Sequence, residues 1–458
     1  MSRKFRTVNY EETLDLKISL REALPPNHLA RFVVDLIAQL DLSPIYNHYA
    51  PQGGEAIAPE ILLGLLFYGY LTGLFSSRKI EKATYENLPF RFIAGNLHPD
   101  HDTLANFRKT FLAEIQDLFV QILLLAQAAG VFQLGNISLD GSKIHADASK
   151  SQAVSYKRLV ELDTQLRREV HELFTLGEQA DQGEVQLPEG FVVQEEIALR
   201  QERLANLAQA KAVLEARAQE RYEAEQAEYQ AKLREREEKA AKHHRKPKGR
   251  KPKPPEPGPR DKDQYNFTDP ESRIMKNSTD EGFDQHYNVQ AAVEQQSLLI
   301  VATGLSNHPN DQGEAEPTLE AIDPLLGRPE AAALDNGYFS ASNVQACEAR
   351  GIEAYIATGR EPHHQSWQTF FEALPEPPGA EASPKEKMAY KLRTEIGQAI
   401  YRLRKCTVEP VIGIIKEVLG FRQFSLRGLA AAAGEWCLVC LAFNLKRLHT
   451  LYLAKGLI

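Results

Sequence analysis

The chain has 458 residues, 43% of them hydrophobic, and a net charge of −8. That length and apolar content exclude a disordered chain and allow two or three domains. The acidic balance excludes binding by bulk positive charge, while local basic runs can still form a face for nucleic acid. Four scattered cysteines (Cys347, Cys406, Cys437 and Cys440) exclude a disulfide framework and point to a reducing compartment. The opening MSRKFRTVNYEETLDL has no apolar core and is not read as a signal peptide. The longest apolar run, Ile61 to Phe75, is short of the roughly 20 residues that a membrane span needs. A cytoplasmic protein with no membrane partner is expected.

Residues 1–130 read as all helix. Arg21 to Leu42 has helical apolar spacing, Pro59 opens the long apolar helix, and a shorter helix covers Ser77 to Asn87, with Ser76 or Ser77 as cap. After a turn at Gly95, Asn96 and Pro99, Asp102 is expected to cap a helix that starts with Thr103 and carries Asn106, Arg108 and Lys109. This is the layout of a helix-turn-helix, and Thr103, Asn106, Arg108 and Lys109 are its candidate DNA contacts. Residues 131–149 contain NISLDGSKI, a strand bearing Asp140.

Residues 150–262 are an insertion. Leu159, Leu162, Leu166, Val170 and Leu173 mark one amphipathic helix, and Glu195 to Lys242, rich in Ala, Glu, Gln, Lys and Arg, predicts a helical hairpin or coiled-coil arm. Lys242 to Lys262 is a basic, Pro-rich tether without helix, suited to nonspecific phosphate contact. From residue 263 to 458, β character returns. Strands are expected over Gln285 to Glu294, Leu298 to Leu305, Ala331 to Asp335 and Ile352 to Ala357, with helices over Glu314 to Leu326 and from Ser340 to about Arg350. The last helices include Tyr401 to Gly428, YRLRKCTVEPVIGIIKEVLGFRQFSLRG.

Three acids stand out in this order: Asp140 and Asp335 on strands, and Glu409 on a helix among Tyr401, Arg402, Arg404, Lys405 and Lys416. A sheet can hold two of them side by side while a helix brings the third. Hard oxygen donors in this number suit two Mg²⁺ or Mn²⁺ ions acting on a phosphodiester. Pro410 disfavours helical backbone at Glu409, so a kink is expected there, with Lys416 on the same helical face seven residues on.

LDGSKI around Asp140, LDNGYFS around Asp335 and VEPVIGIIK around Glu409, together with HDTLANFRK, TDPESRIMK and FRQFSLRG, resemble a DDE transposase of the bacterial insertion-sequence type with a Tyr-Arg-Glu-Lys signature. The resemblance implies an α/β, RNase H-like mixed-sheet catalytic domain, with an all-helical N-terminal domain and a long helical insertion between its first and second strands. It implies that Asp140, Asp335 and Glu409 are catalytic and bind two Mg²⁺ (or Mn²⁺) ions. Tyr401, Arg404, Lys416 and Arg427 would contact DNA. Arg404 lies five positions before Glu409, where the signature places its arginine four before; Lys405 occupies that place and shares the assignment. The implied partners are terminal inverted repeats and target DNA, with a homodimer on paired ends in the nucleoid. The alternatives are an RNase H-like nuclease without strand transfer, or an inactive DNA-binding or coiled-coil scaffold.

Each acid also has a plainer reading. Asp140 and Asp335 could cap turns, and Glu409 could be a helix-start acid. His145 and Asp147 are read as peripheral. His308, Asp311, His363 and His364 are read as loop residues without a partner at ligand spacing, and Trp367, Trp436, Cys437 and Cys440 as packing residues.

Overall fold

A computed structural model of the chain describes residues 19–49, 56–242, 251–277, 282–359, 374, 376–379 and 381–458. Its contacts define two compact units, one of Met1–Ile144 with Asn288–Ile458 and one of His145–Tyr287. His363, His364 and Trp367 lie outside the described residues.

The first unit opens with α1 (Leu29–Ile37), α2 (Ser43–Tyr46), α3 (Pro59–Leu71), α4 (Ser77–Glu86), α5 (Leu88–Ile93), α6 (His101–Thr110) and α7 (Leu112–Ala128). The helix expected over Arg21 to Leu42 is confined to α1, because Pro25 and Pro26 precede it and its cap is His28, whose Nδ1 accepts from the Ala30 N–H at 3.1 Å. α3 begins at Pro59 and is buried almost all round. α6 starts at His101, earlier than expected, since Asp100 rather than Asp102 is the cap and accepts from the Thr103 N–H at 2.6 Å.

The sheet of this unit has the order β6-β5-β1-β7-β8. These strands are β1 (Ile137–His145), β5 (Phe283–Glu294), β6 (Ile300–Ser306), β7 (Ala331–Leu334) and β8 (Glu353–Ile356). β5 and β6 are antiparallel, whereas β7 is parallel to both β1 and β8, so the sheet is mixed. The expected helix over Glu314 to Leu326 is interrupted: α10 (Ala315–Glu320) stops before Pro324, which starts a separate 3-10 turn. α11 (Ala341–Ala349) is capped by Ser340 as expected, its Oγ accepting from the Asn343 N–H. Then come α12 (Pro384–Arg393), α13 (Glu395–Arg402), α14 (Val408–Gly413) and α15 (Leu429–Ala454).

α15 is the core helix. It packs on α3, α7 and β6, and buries Trp436, Cys437 and Cys440. Its 26 residues are long and apolar enough to cross a membrane, and most of them are buried inside the unit. The run from Ile61 to Phe75 falls largely on α3, a shorter apolar helix of 13 residues. The N-terminal helices and the sheet share one unit, so the boundary expected near residue 130 does not separate compact units.

The second unit is built on α8 (Tyr156–Asp181) and α9 (Val193–Lys242), with β2 (Ala153–Ser155) antiparallel to β3 (Gln264–Asn266). Its core is a short cluster including Val154, Leu159, Leu166, Leu207, Leu214 and Tyr265. The 50 residues of α9 extend about 75 Å at the helical rise. Residues 251–262 are not helical, as expected, but the tether is anchored: Arg260 pairs with Glu225 at 2.8 Å, and the Gly258 carbonyl accepts from Arg221. The second unit also carries an unforeseen strand, β4 (Arg273–Lys276), antiparallel to residues 283–286 of β5.

Candidate active site

The register of the sheet brings the two aspartates together. β1 and β7 are parallel, and the last aligned pair is Leu139 with Leu334. Asp140 and Asp335 are the next residues along each strand, so they leave adjacent strands side by side, at the strand spacing of about 4.8 Å. Both also cap their own turns. Asp140 Oδ1 accepts from the Gly141 N–H at 2.9 Å, and Asp335 Oδ1 accepts from the Gly337 N–H at 2.7 Å. The turn role uses one oxygen of each acid and is compatible with a shared site.

The third acid arrives on the segment after α13. A 3-10 turn (Leu403–Cys406) ends at Thr407, whose φ of −118° and ψ of −85° break the helix. The bend is thus at Thr407, not at Glu409. Glu409 and Pro410 sit in the first turn of α14, where the missing proline N–H costs nothing. A π turn (Ile414–Val418) follows, so the helix expected to run unaffected past Pro410 changes pitch before Lys416.

One face of β1 receives this segment. Ser138, Asp140 and Ser142 alternate along the strand and therefore share a side. Thr407 Oγ1 bonds Ser138 Oγ at 2.8 Å, Arg404 Nη1 reaches Asp140 Oδ2 at 3.3 Å, and Lys416 Nζ donates to Ser142 Oγ at 3.1 Å. Arg404 Nη2 also meets Glu409 Oε1 at 2.8 Å. One buried guanidinium thereby joins the first acid to the third, and Tyr401 places its ring 5.9 Å from it. Lys405, the alternative basic residue, is exposed.

The electrostatics follow from this crowding. Burial pushes the Asp140 carboxyl up to about 7; Arg404 opposes that rise, while Asp335 and Glu409 add to it. Burial would lower the Arg404 guanidinium, but Asp140, Tyr401, Glu409 and Asp335 together raise it. Lys416 is lowered by desolvation. This is a pocket with more negative charge than one arginine balances. Among the described residues, no three His, Cys, Asp or Glu side chains stand close enough to hold a metal ion together. The hard oxygen donors and the surplus negative charge nonetheless fit a divalent cation, with Arg404 as the cation now between two of the acids.

Asp311, read from sequence as a partnerless loop residue, belongs to this pocket. Its Oδ1 accepts from Asn288 Nδ2 at 2.7 Å and from Gln290 Nε2 at 3.0 Å. The neighbouring His308 also has a partner, Glu314, at 2.8 Å. Gln290 accepts from the Tyr338 hydroxyl, and Tyr338 is held well above its ordinary range by burial and by Asp311, Asp140 and Asp335. The only sequence signals were the glycines beside the aspartates, Gly141 and Gly337.

The expected helix-turn-helix contacts divide. Asn106 and Lys109 are exposed and Thr103 is half-buried. Arg108 is buried, bonded to the Tyr70 hydroxyl at 2.6 Å and paired with Glu435 at 3.6 Å. It is committed to the core and is withdrawn as a DNA contact. Arg427 is exposed in the loop before α15, where Glu435 accepts from the Ser425 and Leu426 N–H groups. His145 lies 4.3 Å from the His286 ring, in the second unit.

Residues 18–110 match a family model described as a transposase domain (DUF772), and residues 379–449 match one described as a transposase DDE domain. Both matched families are transposase families. The second match contains Arg404, Glu409 and Lys416; Asp140 and Asp335 lie outside it and join the site through the fold. No curated protein and no solved structure matches the chain. The matches support a DDE transposase, an enzyme whose domain family generally uses divalent metal and acts on DNA.

Proposed function

We propose that this protein is a DDE transposase that cuts DNA at transposon ends and joins the freed 3′-hydroxyl to target DNA. The observation that carries the reading is the Arg404 guanidinium shared by Asp140 and Glu409, with Asp335 one strand away. Asp140 and Glu409, far apart in the chain, share one guanidinium, Asp335 leaves the strand beside Asp140, and Arg404 and Glu409 lie in a segment that matches a transposase DDE domain. The mixed sheet is compatible with an RNase H-like catalytic domain.

Asp140, Asp335 and Glu409 would hold two Mg²⁺ (or Mn²⁺) ions. When bound, such ions supply Lewis-acid activation of the attacking oxygen and stabilise the leaving one. The chain's own residues orient and neutralise. Arg404 holds Asp140 and Glu409 in one pocket and offers its charge to a phosphate. Lys416, fixed on Ser142, adds a second positive charge beside the strand. Tyr401, Lys405 and Arg427 would flank the DNA backbone, while Thr103, Asn106 and Lys109 would contribute to end recognition. The protein would act as a homodimer on paired ends, in the cytoplasm and on the nucleoid.

The test uses purified full-length protein, Mg²⁺ and duplexes carrying the inverted repeats that flank its own coding DNA. Cleaved and joined products are expected, and Asp140→Asn, Asp335→Asn and Glu409→Gln should each lower both by at least about 10³-fold. Cleavage without joining would reassign the protein as a nuclease. Full activity in any of the three variants would reject the site.

A further inference from the structure

We infer that Asp311 is a fourth carboxylate of this site, a positioning residue that ties the two aspartate turns together and strengthens divalent-cation binding between them. The inference rests on the transposase reading of the acids. Its evidence is separate, because it comes from the room that Gly141 leaves and from the hydrogen bonds that orient Asp311.

A Cβ on Gly141 would lie 2.8 Å from Asp311 Oδ1 and 2.5 Å from Gln290 Nε2, closer than any side-chain carbon can stand. A Cβ on Gly337 would lie 3.0 Å from Asp335 Oδ1 and 3.7 Å from Asp311 Oδ2. The two oxygens of Asp311 therefore address the two aspartate turns: Oδ1 the turn after Asp140, and Oδ2 the turn after Asp335. Neither glycine has a left-handed backbone, so conformation does not call for glycine at these positions; at Gly141 space does.

Asp311 is also oriented. Asn288 and Gln290 alternate on β5 and both donate to the same oxygen, Oδ1. Two amide donors on one oxygen fix the plane of the carboxylate. Both of these partners are neutral amides, and no cationic side chain is bonded to it among the described residues. A carboxylate built in this way acts on a cation held by its neighbours, as outer-shell partners do in metal sites.

The experiment is a Mn²⁺ titration of the full-length protein followed by electron paramagnetic resonance, with wild type, Asp311→Asn and Asp140→Asn compared. Asn keeps the acceptor that Asn288 and Gln290 bond, so the variant should fold with an unchanged unfolding midpoint. It should bind Mn²⁺ about tenfold more weakly or worse, and the Mg²⁺ concentration for half-maximal end cleavage should rise by a similar factor while cleavage at saturating Mg²⁺ recovers. Should Asp311→Asn not fold, Asn288→Ala should weaken Mn²⁺ binding in the same direction by loosening the carboxylate. Equal Mn²⁺ affinity in wild type and Asp311→Asn would reduce Asp311 to a loop anchor and overturn the inference, while leaving the other acids in place. Equal affinity in wild type and Asp140→Asn would instead remove the metal site itself, and the proposed function with it.

Discussion

In the helical arm, opposite charges meet their near neighbours: Arg167 bonds Asp163 at 2.8 Å and Arg200 bonds Glu196 at 2.5 Å, each four residues apart on one helix. In the pocket, Arg404 reaches Asp140, 264 positions earlier, and Lys416 reaches Ser142, 274 positions earlier. The arm's pairs lie at the surface, partly or fully exposed, and follow helical periodicity, so each adds only a few tenths of a kcal/mol. The pocket's charges are partly buried, and the fold has to hold them together against their repulsion. A high density of charge therefore says little about function. Charges that only a tertiary fold can bring together say more.

Four measurements would break or sharpen that contrast, beginning with the largest effect. Glu435 is fully buried beside Arg108 and accepts from Tyr70, 365 residues away. Glu435→Ala strands the Arg108 charge and should destabilise the protein by about 3–5 kcal/mol, read by urea unfolding. Arg404→Ala, at a partly exposed pair, should cost about 1–3 kcal/mol in chelator, and that loss should shrink when Mn²⁺ is added.

The third measurement is the pH dependence of stability without metal. Asp140 titrates near 3.8 when unfolded and at about 7 when folded, so between these values the folded state holds more of the proton. Its contribution to stability is full below about pH 4 and falls as pH rises to about 7, by at most about 1.4 kcal/mol per pH unit. The slope attributable to this group should vanish in Asp140→Asn. The smallest effect is expected in the arm, where Arg167→Ala should change stability by less than about 0.5 kcal/mol. A loss of several kcal/mol there would erase the contrast.

Much of the fold was legible along the chain. The strands around Asp140 and before Asp335, the helix start at Pro59 and the cap at Ser340 depend on local periodicity and turn chemistry, which a linear reading captures. The two long helices of the insertion were legible for the same reason. What was misread depended on choices between neighbours or on burial. Asp100 outcompeted Asp102 for the cap of α6, and the break at Thr407 relieved the backbone before Pro410 could kink it. Arg108 resembled a DNA contact until α15 enclosed it.

The sequence by itself determined which acids and cations were available and the order in which they come: Asp140, Asp335, then Glu409 among basic residues. The tertiary structure decided which of them meet. Parallel register set Asp140 beside Asp335. The alternation of Ser138, Asp140 and Ser142 on one face of β1 chose Arg404 and Lys416 as the cations there. Gly141, without a side chain, admitted Asp311, a residue that nothing in its own stretch of sequence marks out. The reason is physical: secondary structure depends on neighbours a few residues apart, whereas a charged pocket depends on which distant backbones can approach closely enough to share it.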